Sequence, residues 1–128
     1  DIFKTEKGKY VTPAPIEASL MANPIIEQVC VTGTNLPQPV AIVVLSDVAQ
    51  KYDRQGVGMK LASTLDVVNA KLEAHQKVDR IIVVDEPWTV ENNLLTPTLK
   101  VKRHILEEHY EEIIHDTYNE KVEFVSVK

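Results

Sequence analysis

From Val57 to Leu72 the apolar residues Val57, Leu61, Leu65, Val68 and Leu72 recur at spacings of four, four, three and four, which is one stripe of an amphipathic helix. Such a helix needs a sheet to pack across. Three segments can supply it: Glu27 to Thr34, rich in β-branched residues; Val40 to Leu45, an almost continuous apolar run; and Arg80 to Val84. Leu36-Pro37-Gln38-Pro39 makes the turn between the first two. Ahead of them, Asp1 to Lys4 and Tyr10 to Thr12 read as a hairpin around a polar turn in which Gly8 can take a positive φ. Thr12-Pro13-Ala14-Pro15 then starts a helix that carries Ile16 and Leu20 to about Met21, and Asn23-Pro24 ends it. A second long helix is predicted from Val101 to Thr117, with Leu106, Tyr110, Ile113 and Ile114 on its inner face. The pattern predicts a small two-layer α/β (α+β) domain, an N-terminal β-hairpin plus a short three-stranded sheet packed against two or three helices. That architecture hosts many activities and argues for none.

Composition narrows the picture. With 128 residues and 44% hydrophobic content, the chain fits one domain over 1–128 with a single core. The net charge of −5, concentrated in Glu107, Glu108, Glu111, Glu112, Asp116 and Glu120, opposes binding to a nucleic-acid backbone. Cys30, the one cysteine, lies in the apolar run Val29-Cys30-Val31 and reads as a small buried hydrophobe of a reducing compartment, which points to the cytoplasm. No apolar run is long enough to span a bilayer, and no signal peptide is visible. The acidic last helix lacks the basic face of a membrane-surface helix, so peripheral membrane contact is left to other parts of a full-length protein. A start at Asp1, in mid-pattern, suggests a piece of a longer gene product.

The candidate chemistry lies in Glu86 to Arg103, EPWTVENNLLTPTLKVKR, a loop by composition that delivers Lys100, Lys102 and Arg103 together at the start of a helix. A basic cluster alone reads as a solvated face. However, Leu95 to Arg103, LTPTLKVKR, resembles the C-terminal signature of the adenylate-forming superfamily, which includes acyl-CoA synthetases, luciferases and peptide-synthetase adenylation domains. Most of that family has Ser/Thr-Gly-Lys before an aliphatic residue and an arginine. Here Thr98-Leu99-Lys100 precedes Val101, Lys102 and Arg103, and leucine in place of glycine is the form of long-chain fatty acid-CoA ligases. Asn93 also stands where close long-chain relatives usually have glycine. Two further blocks agree in order: Lys7 to Glu17, KGKYVTPAPIE, resembles the turn and helix after the family's interdomain hinge, and Glu27 to Leu45 the strand pair after it. The resemblance covers nearly the whole chain and weakens after about Glu107.

The resemblance implies that the chain is the C-terminal lid domain of a larger enzyme whose N-terminal domain, its partner in the same polypeptide, binds ATP, Mg2+ and the acid. It implies Lys100 as the catalytic residue of acyl-adenylate formation. In a second lid orientation the hairpin around Gly8 would help form the channel for coenzyme A (CoA), with Lys7, Lys9 and Tyr10 as cofactor-binding candidates. Tyr10 stands where short-chain members carry an arginine, so their nucleotide contacts do not transfer. The hinge would lie just before Asp1, and the fragment alone would be inert. Two alternatives stay open: adenylation of another carboxylic acid, and a non-catalytic small-molecule-binding α/β module.

Other signals carry less. Glu112-Ile113-Ile114-His115 is a single Glu-x-x-His pair sharing a face with Glu108 and His104, whereas diiron bundles need two such pairs, so a solvated face is expected and no metal site. Gly56-Val57-Gly58-Met59-Lys60 lacks the spacing of a phosphate-binding loop. His75 and His109 have no evident partner. Trp88, the one tryptophan, should anchor the loop to the sheet by burying its ring, with a domain-interface contact as the alternative.

Overall fold

The computed structural model describes residues 1–127. Its mixed α/β class is the one expected, but the main sheet has four strands rather than three and is covered on both faces rather than one. Strand β1 (Phe3–Lys4) and strand β2 (Tyr10–Val11) form the expected hairpin. Helix α1 (Pro13–Leu20) starts on Pro13, whose missing N–H costs nothing in the first turn. Strands β3 (Ile26–Thr32) and β4 (Val40–Leu45) pair antiparallel, and helix α2 (Arg54–Asn69) crosses to strand β5 (Ile81–Val84), parallel to β4. The Asp53 carboxylate caps α2 by accepting the Gly56 N–H at 2.8 Å.

The missed element is strand β6 (Val122–Val125), which pairs parallel to β5 at the sheet edge. It is short and half-buried, with Glu123 inside it, so it offers little apolar signal. Arg80, itself buried, explains how that edge closes. Its guanidinium donates to the Ile113, Ile114 and Asp116 carbonyls at the end of the last helix and reaches Glu123 Oε1 at 3.3 Å. A helix end leaves its last carbonyls short of intrahelical partners, and here only the Ile113 carbonyl also accepts a local N–H, from Asp116 at 3.3 Å.

Both faces of β4 and β5 are buried, which accounts for their unbroken apolar runs. Val31, Ala41, Val43, Ile81 and Val83 pack against α1 and α2, with Val57, Leu61 and Leu65 as the expected stripe. Cys30, Ile42, Val44, Ile82 and Val84 face the other way and meet Trp88, Leu94, Leu95, Leu106, Tyr110 and Ile114. The predicted helix over 101–117 is two pieces, α3 (Arg103–His109) and α4 (Glu111–His115), broken at Tyr110 (φ −109°, ψ 20°). It begins two residues late because Val101 is bridged to Leu95. Removing Arg80 strips the Glu123 carboxylate of its cation and the Ile114 and Asp116 carbonyls of their side-chain donor, so Arg80→Ala should lower unfolding free energy by about 3 kcal/mol, measured by urea denaturation of this domain.

Candidate active site

Trp88 starts the construction of the site. Its ring is buried as expected, its N–H and C=O are both held by the Gln28 side chain at 2.9 Å, and its indole N–H donates to Tyr110 Oη at 3.0 Å. Tyr110 Oη donates in turn to Glu86 Oε1, which also meets His109 Nε2 at 2.7 Å. His109 therefore has the partner the sequence did not reveal. Burial, with the Trp88 and Glu86 contacts acting in opposite senses, pushes the Tyr110 hydroxyl above its ordinary range and keeps it a donor. Asn92 closes the next turn by accepting the Thr89 and Leu94 N–H groups and donating to the Pro87 carbonyl.

On this base stands a narrow ribbon. Leu95 bridges Val101, and Lys102 N–H donates to the Leu94 carbonyl at 2.9 Å. The tip, Thr96 to Lys100, is closed by Thr96 N–H to Lys100 C=O at 2.8 Å, Leu99 N–H to Thr96 C=O at 2.8 Å, and Lys100 N–H to Thr96 Oγ1 at 3.1 Å. Leu94 and Leu95 are buried below, while Leu99 and Lys100 are exposed. Among the described residues the Lys100 ammonium has no hydrogen bond or ion pair. Lys102 is directed instead to Asn93 Oδ1 within the loop. Arg103 turns inward to Val31 C=O, Cys30 Sγ, Glu17 and Asp1. The basic cluster is thus three groups with different surroundings, one of them free.

The tip also shows what the two glycine departures mean. Leu99 has φ 66° and Asn93 φ 69°, both in the left-handed region where a side chain crowds the backbone. The turn keeps the conformation glycine would favour. Asparagine tolerates it better than leucine, so the strain is concentrated at Leu99, a residue 68% exposed that gains little from packing.

The hairpin candidates lie apart from this ribbon. Gly8 has φ +80°, and its N–H donates to the Thr5 carbonyl, so the turn that glycine was expected to make is present. Lys7, Lys9 and Tyr10 are exposed around it, with Lys4 Nζ 5.9 Å from the Tyr10 ring centroid. The hairpin is seated by Phe3 against Gly33, where a Cβ would come within 2.6 Å of the Phe3 ring. Among the described residues no hydrogen bond or ion pair joins Lys7 to Tyr10 with the tip at Thr96 to Lys100. Glu108, Glu112 and His115 are exposed, and no three His, Cys, Asp or Glu side chains among the described residues converge as a metal site. Cys30 is buried, and burial pushes its thiol up to about 12 despite the nearby Arg103. The unfolded thiol ionises first as pH rises, so Cys30 withdraws stability progressively between about 9 and 12. Leu99→Gly should raise unfolding free energy by about 0.5–1 kcal/mol, whereas Leu99→Ala, which keeps a Cβ, should leave it nearly unchanged; thermal or urea unfolding of the domain measures both.

No helix among the described residues is long and apolar enough to cross a membrane. Comparison with known proteins gives a consistent result. The chain is 34% identical to fatty acyl-CoA synthetase A of Dictyostelium discoideum, covering 94% of this chain and 21% of that protein. It is 32% identical to human long-chain-fatty-acid–CoA ligase 1, covering 92% and 20% respectively. It therefore spans about a fifth of the length of these curated relatives. Among solved structures, the adenylation domain of a carboxylate reductase from Mycobacterium chelonae superposes with a TM-score of 0.76 at 27% identity, over 88% of this chain and 18% of that one. The family described as AMP-binding enzyme C-terminal domain matches residues 1–122, and the chain belongs to that family.

Proposed function

We propose that this chain is the C-terminal lid of an ATP-dependent long-chain fatty acid-CoA ligase, and that Lys100 is its catalytic residue. The observation that carries the proposal is the state of Lys100: an exposed ammonium with no partner among the described residues, on a turn whose two arms are tied into the domain core. Such a group is free to enter a neighbouring site. The remaining four-fifths of the relatives' length leaves room for an N-terminal domain holding ATP, magnesium and the acid. Magnesium would there neutralise charge on the phosphates.

In the first half-reaction a carboxylate oxygen of the fatty acid attacks the α-phosphorus of ATP, an acyl-phosphate bond forms and pyrophosphate leaves. Negative charge gathers on the transferring group and the departing oxygen. Lys100, a compact charge on a flexible stem, would offset it inside a closed, water-poor interface where charge pairing is strong. In the second half-reaction the thiol of CoA attacks the acyl carbonyl and AMP leaves. For that step the exposed Gly8 turn, with Lys7, Lys9 and Tyr10, would line the thiol's channel. Rotation about the segment just before Asp1 would exchange the two surfaces. A cytoplasmic location belongs to the same proposal, supported by Cys30 being a free thiol.

The likeness to a carboxylate reductase adenylation domain favours a second reading, activation of a different carboxylic acid. Assaying the parent enzyme with acids of graded length and aromatic character decides between them. Two outcomes are expected of the first reading. Lys100→Ala in the parent should depress acyl-adenylate formation by about 100-fold or more while sparing thioester formation from supplied acyl-adenylate; equal losses would refute the assigned role. The isolated domain should make no acyl-CoA from acid, ATP and CoA, and measurable turnover would contradict its reading as a lid.

A further inference from the structure

Three basic residues end the loop, yet only Arg103 is turned into the body of the domain. Its side chain is 12% exposed and touches three separate parts of the fold. One terminal nitrogen donates to the Val31 carbonyl at 2.5 Å and meets Cys30 Sγ at 3.2 Å, both on β3. Both terminal nitrogens lie 3.4 Å from Glu17 Oε2 on α1. The remaining nitrogen donates to Asp1 Oδ2 at 2.8 Å. Arg103 is also the first residue of α3, three residues beyond Lys100.

We propose that Arg103 is a positioning residue for Lys100: its guanidinium fixes the arm of the turn that follows the lysine, as buried Leu94 and Leu95 fix the arm that precedes it. The inference rests on the reading of Lys100 as the adenylation lysine. A planar fork of donors suits the task because it can bind a carbonyl and two carboxylates in set directions, which a lysine's point charge cannot. The grip also acts more on the loop than on the fold. Glu17 Oε2 accepts the Val31 N–H at 2.8 Å without Arg103, and Ile16, Leu20 and Val31 share one apolar cluster, so α1 and β3 stay joined when the guanidinium is removed. What is weakened is the arm carrying Lys100, left with only the Leu95–Val101 bridge and the Lys102 N–H to Leu94 C=O bond to hold it. A catalytic group displaced by about 1 Å can cost up to about 100-fold in rate.

The test uses the full-length parent enzyme and measures both half-reactions for Arg103→Ala, Arg103→Lys, Lys100→Ala and the Arg103→Ala/Lys100→Ala double variant. Arg103→Ala should slow acyl-adenylate formation by about 10- to 100-fold, mainly in kcat rather than in KM for ATP, and leave thioester formation from supplied acyl-adenylate near the wild-type rate. Arg103→Lys should recover part of the loss. In the Lys100→Ala background, Arg103→Ala should add no further loss, because a residue acting only through the lysine has nothing left to position. If Arg103→Ala does not fold, Glu17→Gln substitutes for it: the amide oxygen keeps the Val31 bond while the ion pair is lost, and a smaller loss confined to the same half-reaction is expected. A wild-type adenylation rate in the folded variant, parallel loss of both half-reactions, or a full multiplicative loss in the double variant overturns the proposal. If Lys100→Ala alone leaves adenylation intact, the reading of Lys100 fails and this inference with it; if Lys100→Ala is impaired and Arg103→Ala is not, only the inference fails.

Discussion

A charged amine can serve a neighbouring active site only if its own domain does not neutralise it first. Lys100 meets that condition, with an exposed side chain and no internal counter-charge among the described residues. An internal carboxylate would have to be released at every closure, at a cost of up to about 1 kcal/mol even for an exposed pair. Freedom of the ammonium is useful only if the backbone below it is firm. The turn from Thr96 to Lys100 is closed by three hydrogen bonds, and its arms continue into Leu94 and Leu95 on one side and Arg103 on the other. The side chain can search while its origin stays put.

That firmness traces back to the sheet. Because β4 and β5 are apolar on both faces, one helical layer cannot bury them, and the chain must pass from the α2 face to the opposite one. The stretch from Glu86 to Lys102 makes that passage. Trp88, Leu94 and Leu95 bury into the second core on the way, and Gln28, Tyr110 and Asn92 satisfy the polar groups this burial would strand. The loop is therefore structural at its base and exposed at its tip. Leu99, held at φ 66° with little packing in return, carries the conformational strain of that tip.

Much of this was legible in the residues. The α2 stripe, the strands β3 to β5, the Gly8 turn and the anchoring role of Trp88 all follow from periodicity, turn chemistry and size. The unbroken apolar runs of β4 and β5 also announced a sheet covered twice, a signal that the two-layer expectation passed over. Strand β6 was harder, since Val122-Glu123-Phe124-Val125 is short and half-buried and owes part of its place to Arg80, a partner far away in sequence. The break at Tyr110 was equally hidden, because its hydroxyl answers to Glu86 and Trp88 across the loop rather than to helical neighbours. At the site, the resemblance named Lys100, while the basic cluster itself gave no hint of how the surroundings of Lys100, Lys102 and Arg103 differ. Three cations within four residues look alike in sequence, and their partners show, among the described residues, one free, one tied within the loop and one clamped to α1 and β3.

In the proposed reaction a primary ammonium at the end of this turn acts on the reacting carboxylate and phosphate. Chemical replacement of that group tests it most directly: Lys100→Cys in the full-length enzyme, followed by aminoethylation to restore an ammonium at nearly the original reach, with the wild type treated alike as control. Cys30, buried and held protonated, should resist the reagent. Aminoethylation should restore acyl-adenylate formation, while a neutral amide-bearing label of similar length should not. Equal recovery with the neutral label, or no recovery in a folded enzyme that still forms thioester from supplied acyl-adenylate, would contradict it.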